Sequence, residues 1–194
     1  VGSKSYAKNK AAYVEVYHMA SGVSCAFKAF ITNLSDTFDI KYNSEDVFGR
    51  SDPIHTFAGT SRNISISWDI PAADAGEAKE NMKQIQRLAR MAYPAYFKNS
   101  GIPQSAGALA KPPVVRLQFM NLISAAKASN YSNIARNSGL LGAITSISIV
   151  HDTEVGFFEN KDREEAWSLW PKLIRVTIDF KPMHEMTLGY DEKG

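Results

Sequence analysis

The stretch Ile64-Ser65-Ile66-Ser67-Trp68-Asp69-Ile70 decides the fold class. Its apolar residues occupy every second position, the period at which side chains of a pleated strand share one face. Ser65, Ser67 and Asp69 then share the opposite face, which meets water, a channel or a neighbouring subunit. The same pattern returns in Ile174, Val176, Ile178 and Phe180, with Arg175, Thr177 and Asp179 between them. Trp68 and Ile178 sit at the centres of the two patterns, so both are expected in the core, on facing or adjacent strands.

Working outward, Val115, Leu117 and Phe119 alternate with Arg116 and Gln118, and Ile147 and Ile149 alternate with Ser146 and Ser148. Both read as strands. Tyr13 to Met19 and Cys25 to Ile31 flank Ser21-Gly22 and read as a hairpin. Leu34, Phe38, Ile40 and Tyr42 carry the alternation on to Asn43-Ser44-Glu45-Asp46, where the chain is expected to turn at the end of a long second arm. One helix interrupts the strands, from about Ala75 to Ala92, opened by Asp74 and Glu77 at capping-box spacing and closed by Pro94. Ala78, Met82, Ile85, Ala89 and Ala92 form its apolar stripe, with Leu88 alongside. Lys79, Lys83, Arg87 and Arg90 form a basic row on the other face, a candidate contact for an acidic partner or phosphate. Asn99 to Lys111 and Ser124 to Ser138 read as loops. The sum is a mainly β chain with one flanking α-helix, a single domain over residues 1–194 with flexible termini at about 1–12 and 190–194.

Composition narrows the function. Of 194 residues, 44% are hydrophobic and 22% charged, the usage of a folded globular chain rather than a disordered or fibrous one. Lys and Arg number 22 against 20 for Asp and Glu, so the net charge of +2 gives no bulk attraction to nucleic acid. No apolar run approaches the roughly 20 residues that cross a bilayer, and no membrane partner is expected. One cysteine, Cys25, excludes an internal disulfide and a multi-cysteine zinc site. His151-Asp152-x-Glu154 and His184-Glu185 hold residue types that bind metals or move protons, but without the spacing of a zinc hydrolase. No G-x-S-x-G elbow, phosphate-binding loop or dinucleotide fingerprint occurs. No catalytic residue, metal or cofactor is therefore assigned.

The segment Val47-Phe48-Gly49-Arg50-Ser51-Asp52-Pro53-Ile54, followed by Phe57, Gly59, Thr60 and Arg62, concentrates aromatic, charged and backbone-shaping residues. It reads either as a surface turn with an Arg50–Asp52 ion pair or as a recognition loop, since Arg and aromatics are enriched at protein interfaces. The motif order Gly49-Arg50-x-Asp52-Pro53-Ile54, Thr60-x-Arg62-x-Ile64, Tyr93-Pro94, Pro112-Pro113-x-x-Arg116, Asn121-Leu122-Ile123, Gly156-Phe157-Phe158 and Pro171-Lys172-Leu173-Ile174 resembles the tail-tube initiator proteins of tailed bacteriophages. The resemblance runs from about Tyr13 to Gly189. It implies a tail-tube-like β-sandwich or partly rolled barrel that forms a six-membered ring around a channel, in the tail or baseplate of a virion assembled in the host cytoplasm. It further implies stacking on a tail-tube subunit or an adjacent baseplate or hub ring, with the genome passing through the channel without sequence-specific binding. On that view Phe48, Gly49, Arg50, Asp52, Pro53, Phe57 and Arg62 are the intersubunit or stacking residues. Ser65, Ser67, Asp69, Thr177 and Asp179 are candidates for the channel lining. Lys79, Lys83, Arg87 and Arg90 form an outer partner face. The alternative is a virion module that binds nucleic acid or an acidic partner through that basic row.

Overall fold

A computed structural model of the chain describes residues 13–28, 30–96, 109–125, 135–159, 168–185 and 188–189. Both expected terminal segments, about 1–12 and 190–194, lie outside the described residues.

The two alternating patterns fall in β4 (Ile54–Pro71) and β11 (Leu173–Pro182), which pair antiparallel. Trp68 lies opposite Val176 and Ile66 opposite Ile178, all with no accessible surface, so both central residues are buried on adjacent strands. Ser65, Ser67 and Asp69 share the other face with Asp179, Thr177 and Arg175. With β1 (Tyr13–His18), β2 (Val23–Lys28), β3 (Phe30–Glu45), β7 (Val114–Phe119) and β8 (Leu140–His151) they form a seven-stranded antiparallel sheet in the order β2-β1-β7-β8-β11-β4-β3. Two small ribbons flank it, β5 (Ala95–Tyr96) with β6 (Leu109–Lys111) and β9 (Phe157–Glu159) with β10 (Leu169–Pro171).

Chain connectivity sets the shape of this sheet. β2 and β3 are its two edges, yet Lys28 and Phe30 are two residues apart, so the edges approach within about 7 Å there. A flat ladder cannot meet that condition; the sheet rolls over on itself. Phe27 on β2 accordingly meets Trp68 on β4, with ring centroids 5.6 Å apart. No ladder joins β2 to β3 among the described residues, so the roll stays short of a closed barrel.

One side of the roll is covered by α1 (Ala75–Met91). Asp74 caps it by accepting from the Glu77 N–H at 2.7 Å, and Glu77 reaches back to accept from Ala73 N–H at 2.8 Å. Ala78, Ile85, Leu88 and Met91 are the buried positions. Met82 and Ala89 are only half-buried and Ala92 is exposed, so the inward stripe is rotated from the expected one toward Met91. Near the seam between β2 and β3, the buried Lys28 ammonium pairs with Glu77, tying the edge of the sheet to the first turn of the helix.

Three local expectations change. Asn43, Ser44 and Glu45 remain in β3, and the turn lies beyond them. Leu109–Lys111, expected as loop, pairs with Ala95–Tyr96, while Ala135–Ser138 forms a short helix, α2. The rest of both expected loops lies largely outside the described residues.

Cys25 packs in the core with its Sγ 3.8 Å from Met91 Sδ and from the Val16 carbonyl oxygen. Burial, with the nearby Glu15 carboxylate adding to it, pushes its thiol up to about 12. The reactive thiolate is therefore scarce at neutral pH. A disulfide-exchange reagent is expected to label Cys25 only after unfolding; labelling of the native chain at the rate of an exposed thiol would contradict this packing.

Candidate functional site

The pairing of β4 with β11 ends where Ile64 lies opposite Phe180. From there β4 has only β3 beside it, and the two run outward as a ribbon from Asp36 opposite Ile64 to Glu45 opposite Ile54. At ~3.3 Å per residue this arm is about 30 Å long. Its pairing keeps the face of the core: Phe38 lies opposite Arg62, Ile40 opposite Thr60 and Tyr42 opposite Phe57. The register shifts beside Gly59, whose φ of +151° suits the irregularity. Phe38, Ile40, Tyr42 and Phe57 are each more than half exposed. An apolar stripe thus leaves the core and continues into solvent, although a lone two-stranded ribbon is at best marginally stable in water.

Contacts along the stripe give it a fixed surface. Tyr42 and Phe57 meet edge to face at 5.7 Å. Arg62 donates to Asp36 from Nε at 2.8 Å and from Nη2 at 2.5 Å, and its guanidinium lies 5.2 Å over the Phe38 ring. The Asp36 carboxylate also raises the Arg62 pKa, so this residue is a clamp within the arm.

At the tip, Arg50 N–H donates to the Val47 carbonyl at 3.1 Å, and Gly49 takes a φ of +91°. Phe48 is fully exposed and Pro53 half-buried. Arg50 and Asp52 are exposed and form no ion pair with each other among the described residues, so the ion pair of the surface-turn reading is not made. Gly49 to Arg62 is therefore not one loop: Gly49 to Pro53 cross the tip, while Phe57 and Arg62 belong to β4.

On the opposite face, Ser65 Oγ donates to Asp179 at 2.7 Å and Ser67 lies 2.9 Å from Thr177 Oγ1. Arg175 reaches Asp69 at 3.7 Å. Asn33 and Ser35 on β3 and Ser146 and Ser148 on β8 lie in register beside these residues, so the polar face spans four strands.

The basic row on α1 does not act as one surface. Lys79 lies 5.6 Å over the Trp170 ring and Lys83 is 3.9 Å from Glu80, whereas Arg87 and Arg90 remain exposed near the end of the helix. Among the described residues no group of three or more His, Cys, Asp or Glu side chains is placed to hold a metal. Asp152 pairs with Arg175 at 3.0 Å and caps the turn to Glu154, while Glu185 pairs with Arg116 at 2.7 Å. No helix among the described residues is long and apolar enough to cross a membrane.

Phe38, Ile40 and Tyr42 were legible as strand residues but not as surface. The available signal was length: β3 and β4 run 16 and 18 residues, against about 5 to 6 for an ordinary strand.

No family model matches the chain, and no curated protein matches it. Among solved structures it is similar to a chain in the six-fold-symmetrised cryo-EM structure of the anti-feeding prophage (AFP) baseplate. The two are 8% identical, with a TM-score of 0.31 over 89% of this chain and 88% of that one. A likeness of that size carries no argument about role.

Proposed function

We infer that the chain is a structural subunit of a phage-type tail or baseplate, a tube-initiator-like protein that joins copies of itself head to tail into a ring. The arm carries this reading: its apolar stripe continues the core face for about 30 Å with Phe38, Ile40, Tyr42 and Phe57 each more than half exposed, and a second copy is the cover proposed. The sheet supports a head-to-tail contact because β2 and β3 are both edges, each pairing on one side only among the described residues. An interface between unlike patches of identical subunits closes into a ring when the rotation fits. The motif order that resembles tail-tube initiators points to six copies.

In such a ring the work is templating by shape, without covalent chemistry. Phe48, Arg50, Asp52 and Pro53 at the tip meet the neighbouring subunit or the next tube or hub ring. Ser65, Ser67, Asp69, Thr177 and Asp179 line the channel, presenting hydroxyls and paired charges that give passing nucleic acid no sequence-specific grip, and α1 lies outside. Assembly in the host cytoplasm and residence in the virion follow from this role. The alternative through the basic row is narrowed to Arg87 and Arg90, since Lys79 and Lys83 have partners on the protein itself.

The test is the double variant Ile40→Ser/Phe57→Ser, both side chains being more than half exposed. Sedimentation should show loss of the ring, while circular dichroism reports a folded monomer. Arg50→Ala is expected to cost roughly 2 to 5 kcal/mol of association if it meets a carboxylate in a desolvated contact. Rings of unchanged size and stability in the double variant would overturn the assignment of the arm.

A further inference from the structure

At the end of α1 farthest from its cap, a cavity of about 430 Å³ lies against β1 and the β1–β2 turn. That volume falls within the range of small-molecule sites. Its polar lining is His18, Ser21, Arg87 and Arg90, and Met91 and Tyr93 contribute apolar surface. These polar groups come from separate elements, a strand, a turn and a helix.

His18 is only 5% exposed. Its Nδ1 lies 2.8 Å from Ser21 Oγ, and its Nε2 is buried with no hydrogen-bond partner. Burial lowers the His18 pKa, which favours the neutral ring. In the tautomer where Ser21 donates to Nδ1, the ring proton is on Nε2 and has no acceptor. A buried donor without an acceptor is a standing cost.

Arg87 and Arg90 are three residues apart on α1, so their like charges are neighbours and repel. Neither forms an ion pair among the described residues. Their position near the helix C-terminus offsets part of the cost through the helix dipole, but it leaves their guanidinium donors open. One anion between them would relieve the repulsion and satisfy several donors at once.

We propose that this cavity binds a small organic anion, a carboxylate or phosphate carried on an apolar body, with Arg87 and Arg90 flanking the charge and the His18 ring forming the wall beside them. Met91 and Tyr93 pack against the apolar body. The proposal is independent of ring formation, because every residue in it belongs to one chain.

The full chain is titrated with phenyl phosphate and with benzoate, following heat and the His18 ring resonances. Inorganic phosphate and benzyl alcohol test charge and apolar body separately. Saturable one-to-one binding of at least one aromatic anion, with movement of the His18 signals, is the expected result. Each partial ligand should bind at least about tenfold more weakly, a difference of about 1.4 kcal/mol. Arg87→Gln and Arg90→Gln, both exposed and thus suited to keep the fold, should each weaken binding about tenfold. No saturable binding of either aromatic anion at millimolar concentration would overturn the proposal. So would binding that leaves the His18 signals unmoved or persists undiminished in the folded Arg87→Gln/Arg90→Gln variant.

Discussion

Trp68→Ala should lower the stability of the chain by about 3 to 5 kcal/mol. Trp68 has no accessible surface, lies opposite Val176 on β11 and Ile31 on β3, and meets Phe27 across the roll. Truncation therefore opens a cavity at the point where β2 and β4 face each other, and the surrounding backbone is held by ladders on both sides. Trp68→Phe should cost less, because it keeps the aromatic contact and removes an indole N–H that has no hydrogen-bond partner. Chemical denaturation measures both variants. An unchanged midpoint in Trp68→Ala would place the core on the other face of the sheet.

The second large effect concerns the seam. Lys28→Met should cost about 3 to 5 kcal/mol, because it leaves the Glu77 carboxylate without the ammonium that balances it in a largely buried position. Removing one partner of a buried pair is costlier than removing both. The double variant Lys28→Met/Glu77→Gln should therefore be clearly less destabilised than the sum of the single changes. Additive costs in that cycle would mean that the two side chains act separately and that the pair does not tie the sheet edge to α1.

The alternation at Ile64 to Ile70 and at Ile174 to Phe180 was enough to locate two adjacent core strands and their buried face, since a period of two is imposed by the backbone itself. The same periodicity says nothing about neighbours in the sheet. Lys28 and Phe30 are almost adjacent in sequence, yet they begin and end opposite edges, a consequence of rolling that only long-range pairing reveals. Nor does alternation tell a covered strand from a bare one: Phe38, Ile40 and Tyr42 repeat like Ile64, Ile66 and Trp68, but the pairing of β4 with β11 ends before the residues opposite them.

The helix was legible in its bounds and cap, because Asp74, Glu77 and Pro94 act locally. Its inward face was legible only in part, since the contact of Met91 with Cys25 is set by a strand far away in sequence. The basic row shows the same limit. Helical spacing placed four cations together, while Trp170 engages Lys79 and the cavity beside His18 sets Arg87 and Arg90 apart. The tip residues Phe48 and Arg50 were legible as unusual in composition, and the structure places them at the end of the arm, with no ion pair for Arg50 among the described residues.

The central claim is that this chain closes on copies of itself through the arm. Its most direct test is the mass and shape of the purified full chain, measured by sedimentation across a concentration series and by electron microscopy of the same sample. The account predicts closed rings, six copies each, with the arm of one subunit lying over its neighbour. A folded monomer at every concentration, with the apolar stripe of Phe38, Ile40, Tyr42 and Phe57 still open to solvent, would contradict it.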